Sequence, residues 1–323
     1  MNRIAFIIEE TFLYWSSIVV TLAGVSAILM FLSLTLGEKD DRAAGMAAVP
    51  LAGGLSLIFS RLVHWYCHPV GYASLTAALT DYRNGGYALI GVFFGCILAA
   101  LLLRLLGVSR NLPRMLDHMA IAGSLGIALG RLASLFNNSD RGMLLSAEVP
   151  FPLASAVVNS VSGATENRLA VFMLQAMVAA VLFVVLWIFY TRGRRKGTLR
   201  DGDTCLIFLL CYCAAQALLD SPRYDNLYFR SNGFVSVVQI FSAITVAVAA
   251  IAVTVRLIRS RGGKWGLMAL PLLPLLGIAG YMEYHVQRHG DQAAFAYTVM
   301  GLCLGCFVLL TLLMRSLAAR AEP

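Results

Sequence analysis

Nine apolar stretches of spanning length run through this 323-residue chain, and they leave it few ways to fold. They lie near 12–36, 44–66, 86–107, 116–136, 169–191, 203–220, 234–257, 265–283 and 293–314. An α-helix rises about 1.5 Å per residue, so about 20 such residues cross a hydrocarbon layer about 30 Å thick. Lipid offers backbone groups no hydrogen-bond partners, so each stretch must satisfy its own as a helix. Only 13% of residues are charged, against about a quarter in soluble domains, and mean hydropathy is +0.77. The expected fold is an all-α integral membrane protein, a polytopic helical bundle of nine spans.

Net charge is +8, which in such a chain speaks for topology and anionic headgroups and not for nucleic acid. Alternate loops and the C-terminal tail hold sixteen lysines and arginines, among them Lys39, Arg42, Arg110, Arg114, Arg192, Arg194, Arg195, Lys196, Arg259 and Arg261. The opposite loops hold seven: Arg3, Arg83, Arg141, Arg168, Arg223, Arg230 and Arg288. Arg61 and Arg131 fall inside spans. The richer side is expected to be cytoplasmic, with the N-terminus outside and the C-terminus inside. Glu9 and Glu10 interrupt the start before any long apolar core, so no cleaved signal peptide is expected. The run Arg192-Gly193-Arg194-Arg195-Lys196 reads as a topology anchor, with anionic-lipid recognition as the alternative.

Seven cysteines lie mostly in apolar stretches, and neither Cys211-Tyr212-Cys213 nor Cys303-Leu304-Gly305-Cys306 has a second pair at zinc-site spacing. They are expected to be buried thiols acting as small hydrophobes. Neither metal nor cofactor is expected. The segment 137–168 is too polar to span and is expected to cap the outer face as loop plus a short interfacial helix.

Four groups of residues could carry chemistry. Arg131 ends an apolar run and is followed by Asn137-Asn138-Ser139-Asp140-Arg141-Gly142. A guanidinium at membrane depth needs a polar cavity or an anionic partner, and in a bilayer the nearest anion is a lipid phosphate. Snorkelling to the interface is the other reading. Asp81-Tyr82-Arg83-Asn84-Gly85-Gly86 places paired glycines where backbone can approach a ligand closely, or forms an ordinary interfacial turn. Tyr212, Gln216, Asp220 and Arg223 share one helix face, where Asp220 can pair with Arg223 as a site element or as a plain helix-end ion pair. Arg61 precedes His64 and His68, an i, i+4 pair that lacks a third metal ligand. No Gly-x-Ser-x-Gly turn, Walker loop or HExxH motif is present. Guanidinium groups among small polar side chains suit a phosphodiester headgroup.

The same residues resemble the bacterial prolipoprotein diacylglyceryl transferases. The segment from Gly130-Arg131 to Arg141-Gly142 is similar to the family's "GRxGNFxNGExxGR" signature. Phe12-Leu13-Tyr14-Trp15 looks like the aromatic start of its first span, and Gly54 to Tyr66, with Arg61, resembles "GGRxxYxxFY". Tyr82 to Gly91 looks like "GGxxxHGG", Tyr212 to Arg223 like "YxxxRxxxExxR", and Val237 to Ser242 like "MGQxLS". The resemblance covers roughly 12–258. It implies a seven-span body over 1–258, with a central cavity open to the outer leaflet, and two added spans in 259–323.

The family moves a diacylglyceryl group from phosphatidylglycerol to the cysteine of a prolipoprotein lipobox, releasing glycerol phosphate. Carried over, Arg131, Asp220 and Arg223 would be catalytic. Tyr14, Arg61, Gly85, Gly86, Ser134, Asn137, Gln216 and Gln239 would contact substrate. The implied partners are phosphatidylglycerol and an exported lipobox protein, and the implied place is the bacterial cytoplasmic membrane. Several family residues are replaced: its histidine falls on Ile90, its signature asparagine on Ser134, its glutamate on Ser139 and an arginine on Gln216. The stretch Asn167 to Gln175 keeps little of "RHPxQLYE". Two functions therefore stand side by side: a diacylglyceryl transferase, and a degenerate paralogue that binds or presents anionic phospholipid or lipoprotein without transfer.

Overall fold

The computed structural model describes residues 4–8, 11–38, 41–68, 71–80, 86–146, 149–158, 163–229, 232–290 and 292–321. Ten α-helices lie among them. The principal ones are α1 (Trp15–Leu36), α2 (Arg42–Cys67), α4 (Leu89–Leu105), α5 (Leu112–Arg131), α6 (Val171–Lys196), α7 (Asp203–Asp220), α8 (Val237–Arg261), α9 (Leu272–His289) and α10 (Ala293–Ala319), with a short α3 (Leu75–Thr80). Eight stretches of helix are long and apolar enough to cross a membrane, and α4 is an apolar helix of 17 residues. Each matches one of the nine expected spans. The protein is a polytopic helical membrane protein.

The chain packs as two compact units, one comprising 1–205 with 223–233 and the other 206–222 with 234–323. In the first, a seam of small residues joins α2 to α4. A Cβ at Gly91 or Gly95 would collide with the α2 backbone at Phe59–Ser60 and Leu55–Ser56. Ser60 Oγ donates to Ala88 O at 2.9 Å, Ala88 N donates to Ser60 O at 3.2 Å, and Ser56 Oγ donates to Val92 O at 3.2 Å. Close backbone approach of this kind is how helices associate where no hydrophobic effect separates protein from lipid. A Cβ at Gly126 of α5 would crowd the Ala27 side chain of α1 at 3.0 Å.

One end of this unit is an ionic knot. Arg114 reaches Glu38 at 2.6 Å and Asp201 at 3.0 Å, and Arg194 also pairs with Glu38. Fully buried Asp117 accepts the backbone N–H groups of Gly202 and Cys205, both at 2.7 Å, at the start of α7. A carboxylate there satisfies orphan donors and meets the positive end of the helix dipole. Outside the spans, burial would raise the Asp201 carboxyl, but the hydrogen bonds from Arg114 and Asn111 hold it below its ordinary value.

Residues 137–168 depart from expectation. Instead of a short interfacial helix, the described part forms an antiparallel hairpin of β3 (Ala154–Val158) and β4 (Thr165–Leu169), registered Ala154 to Leu169 and Val158 to Thr165. Val157 and Val158 favour the extended chain, and Gly142 N and Leu145 N bind Leu169 O and Asn167 O, both at 2.8 Å, which ties the loop to the hairpin. A second hairpin, β1 (Ile4–Ile8) with β2 (Thr11–Tyr14), precedes α1, so the first span begins at Trp15 rather than residue 12. The cysteines are less uniformly buried than expected: Cys303 is buried, Cys306 exposed and the other five intermediate, all as free thiols.

In the second unit, Leu210, Val246, Val253, Leu257, Met300 and Phe307 build the core from α7, α8 and α10. Outward faces of both units are apolar too. Leu22, Leu29, Val181, Ile251, Leu302 and Leu309 are each more than half exposed, as a lipid-facing surface requires.

Candidate functional site

The end of α5 turns at once into a 3-10 segment, Leu132–Leu135, and then into a tight loop. Asn137 Oδ1 accepts from Ser139 N at 2.9 Å and from Ser139 Oγ at 2.5 Å, a side-chain turn of the kind Asn makes readily. Asp140 follows with φ of +56°, the left-handed region that Asp tolerates better than most residues. That conformation reverses the chain, and the carboxylate ends between two guanidinium groups.

Arg131 Nη1 lies 2.7 Å and Arg223 Nη2 2.9 Å from the same oxygen, Asp140 Oδ1. Ser134 Oγ donates to Asp140 Oδ2 at 3.0 Å. Asp225 braces the pair, accepting Arg223 Nε at 3.1 Å and Nη2 at 3.0 Å, and the Asp140 backbone N–H at 2.8 Å. Buried Arg141 fixes the loop by donating from Nη1 to the carbonyls of Ser134, Asn137 and Ser139, at 3.2, 2.7 and 3.3 Å. Its guanidinium also stands over Phe172, 5.3 Å from the ring centre. Burial alone would push the Asp140 carboxyl up, but Arg131 and Arg223 with the Ser134 hydrogen bond bring it down to about 2. Two guanidiniums converging on one oxygen form a seat for an oxyanion, and here a carboxylate of the chain sits in it.

The structure thus brings Arg131, Arg223, Ser134 and Asn137 together around Asp140. Arg61 is occupied differently. It is 2% exposed, donates from Nε to Ala78 O at 2.7 Å and from Nη1 to Gly86 O at 3.1 Å, and packs on the rings of Tyr72 and Tyr87. Gly86 has φ of +82°, and a Cβ there would meet Tyr72 and His64, so its close approach is to the protein itself. His64 Nδ1 is hydrogen-bonded to the Tyr72 hydroxyl at 2.9 Å. Gly85, with 81–84, lies outside the described residues. Tyr14 ends β2 and is 45% exposed.

Asp220 and Arg223 fall on either side of a unit boundary, and each has partners in its own unit. Asp220 accepts from the hydroxyl of Ser236, the N-cap of α8. Gln239 closes the capping box: Ser236 N donates to its Oε1 at 3.1 Å, and its backbone N donates to Ser236 Oγ at 3.0 Å. Gln216 is buried in α7, and Tyr212, one turn earlier, stacks on Phe208. Asp140 and Arg141 belong to the polar cluster that the sequence places after Arg131, though without a role of their own, and Asp225 lies outside the groups the sequence points to. The Arg-x-Asp spacing of 223 and 225 was the available signal, since neighbouring opposite charges in an apolar chain rarely stay unpaired.

The sequence profile of the prolipoprotein diacylglyceryl transferases matches residues 3–255. A protein of Verminephrobacter eiseniae named phosphatidylglycerol–prolipoprotein diacylglyceryl transferase is 27% identical over 193 residues, which is 59% of this chain but only 63% of that relative. Proteins of the same name from Bacillus licheniformis and Clostridioides difficile are each 22% identical, over 271 and 246 residues. These matches cover 81% and 76% of this chain, and 94% and 92% of the relatives. With a match across most of its length and a paired-arginine site at the signature segment, the chain belongs to the prolipoprotein diacylglyceryl transferase family.

Proposed function

We propose that this protein transfers a diacylglyceryl group from phosphatidylglycerol to the cysteine of an exported lipobox protein. The observation that carries this reading is the convergence of Arg131 and Arg223, 92 positions apart in sequence, on one oxygen. In the reaction the acceptor thiolate forms a bond to the glycerol carbon, the carbon–oxygen bond to phosphate breaks, and glycerol phosphate leaves with the electron pair. Arg131 and Arg223 hold the phosphate and meet the charge that develops on its departing oxygen. A cysteine with an ordinary pKa is a few per cent thiolate near neutral pH, so the nucleophile is present even with Ile90 where the family has a histidine. Phosphate and the Asp140 carboxylate compete for the same two cations, so substrate binding displaces Asp140 from its seat.

Ser134 and Asn137 line this place, and Tyr14, exposed at the end of β2, keeps the substrate contact that the resemblance implies. Arg61, Gly86 and Gln239 act through the framework they hold, and Asp220 and Gln216 belong to the α7–α8 frame beside it in sequence. Gly85 keeps the role its paired-glycine motif implies. The protein sits in the bacterial cytoplasmic membrane with its N-terminus outside and C-terminus inside, so the arginine site faces the exported substrate. Purified protein given labelled phosphatidylglycerol and a lipobox peptide is expected to yield thioether product by mass spectrometry. Arg131→Ala should cut that yield by about 10²–10³-fold, the usual cost of one charge in a preorganised anion site.

A second reading, a paralogue that binds phospholipid or lipoprotein without transfer, is favoured by Ile90, by Gln216 and by the carboxylate already seated between the arginines. Absence of product in a preparation that retains anionic lipid, with retention lost in Arg131→Ala, would select it. Absence of both would remove the phosphate role altogether.

A further inference from the structure

The β3–β4 hairpin leaves one of its edges unused. On one side of β4, Leu145 N donates to Asn167 O at 2.8 Å and Leu169 N donates to Met143 O at 3.0 Å, with Leu144 bridged to Arg168. Residues 167 and 169 thus turn their backbone groups toward the 143–145 stretch. The alternate residues 166, 168 and 170 turn theirs toward β3, as Ala170 N donating to Leu153 O at 2.8 Å shows. The register pairs Ser155 with Arg168 and Val157 with Glu166, so these two residues of β3 bond to β4. The backbone groups of Ala154, Ala156 and Val158 therefore point away from it.

Ala154 N is taken by Pro150 O at 3.4 Å. Among the described residues nothing pairs with the outward N–H and C=O groups of Ala156 and Val158, and both residues are exposed. An open strand edge is a template for another chain, and proteins commonly guard one with a charge, a proline or a bulge. Ala154-Ser155-Ala156-Val157-Val158 has neither charge nor proline, and its register with β4 is unbroken. A groove of about 510 Å³, lined by Val149, Pro150, Ala156, Thr165 and Asn167, adjoins this stretch and has room for side chains of an added strand.

The edge also stands next to the arginine site. Arg141, whose Nη1 holds the loop that delivers Asp140, donates from Nε to Ser155 Oγ of β3 at 3.0 Å. One arginine side chain therefore bridges from the residue after Asp140 to β3, and an added strand would lie about 4.8 Å beyond. A few extended residues, about 3.3 Å each, carry a cysteine from that strand to the paired arginines. The acceptor must bring one cysteine to the arginines while its bulk stays outside the bilayer. An extended segment does this, and backbone pairing holds it by its main chain.

We propose that an extended segment of the exported acceptor adds to the free edge of β3, pairing with Ala156 and Val158 beside the groove. The identity of this partner rests on the transfer reading above, whereas the open edge does not.

Full-length protein in nanodiscs containing phosphatidylglycerol is titrated with a fluorescent lipobox peptide, and binding is followed by anisotropy, which needs no turnover. Strand addition gives a period of two. N-methylation at alternate residues of the bound segment should weaken binding about tenfold, the upper scale of one backbone hydrogen bond, and N-methylation at the residues between should not. Ala156→Pro removes an outward donor, leaves the bonds to β4 in place and should weaken binding to a similar extent. The peptide series needs no variant, so it decides the matter should Ala156→Pro fail to fold. No binding by the unaltered protein, equal effects of N-methylation at every position, or full affinity in folded Ala156→Pro overturns the proposal. Binding with the period of two but without thioether product upholds the docked strand and removes transfer. Product formed without that period does the reverse.

Discussion

Arg131, Arg223 and Asp140 are each costly alone in an apolar protein, and together they offset one another. Arg131 and Asp140 are 14% and 15% exposed in their side chains, so their attraction is only partly screened. The Asp140 carboxyl titrates at about 2 when folded, below its ordinary value of 3.8. A depressed carboxyl contributes stability that is present above the unfolded value and lost as pH falls through the folded one. The contribution, about 2 kcal/mol at neutral pH, should therefore fade between about pH 4 and pH 2. Acid unfolding of Asp140→Asn should lack that part of the pH dependence. A profile matching the wild type would mean the carboxylate is not held by the arginines. Arg131 was legible from sequence because a guanidinium after ten apolar residues demands a partner. Asp140 was not, because its role depends on the left-handed turn that delivers it.

At the scale of elements, spans were legible and their joints were not. Apolar length fixes a helix in lipid, so all nine stretches are helical with ends shifted by a few residues. The β3–β4 hairpin was misread because its five-residue strands show no clean alternation, and their pairing links positions up to 15 apart. Gly91 belongs to a segment matched to a family motif, yet its position is explained by contact with Ser60 of α2. That seam gives an element-scale prediction. Gly95→Val would force α4 off the α2 backbone at Ser56, and overpacking of this sort costs about 1–3 kcal/mol. Thermal unfolding in detergent should show the loss, while Gly24→Val, where a Cβ meets nothing within 4 Å, should leave the transition nearly unmoved. Equal shifts in the two variants would mean the α2–α4 approach is not tight.

For the whole molecule, two divisions coexist. The family profile ends at residue 255, near the boundary at 258 implied by resemblance, and packing groups α7 and α8 with the last two helices. The first reflects shared sequence and the second shared contacts, so they need not coincide. Orientation is the other whole-molecule property, and the one proposed rests on charge. The rule counts lysines and arginines in short loops, not net charge, so pairing of Arg114 and Arg194 with Glu38 leaves the sixteen-to-seven bias intact. Moving one cation outward against an inside-negative potential costs about 2.3 kcal/mol per 100 mV, and the reversed topology would export nine more of them. Thr198 and Val158 probe the two sides, since both are exposed and lie at opposite ends of α6 and its preceding hairpin. In a background with the seven native cysteines replaced by serine, Val158→Cys should react with a membrane-impermeant maleimide on whole cells. Thr198→Cys should react only after the membrane is opened. The opposite pattern would turn the molecule over and place the arginine site on the cytoplasmic side, out of reach of any exported acceptor.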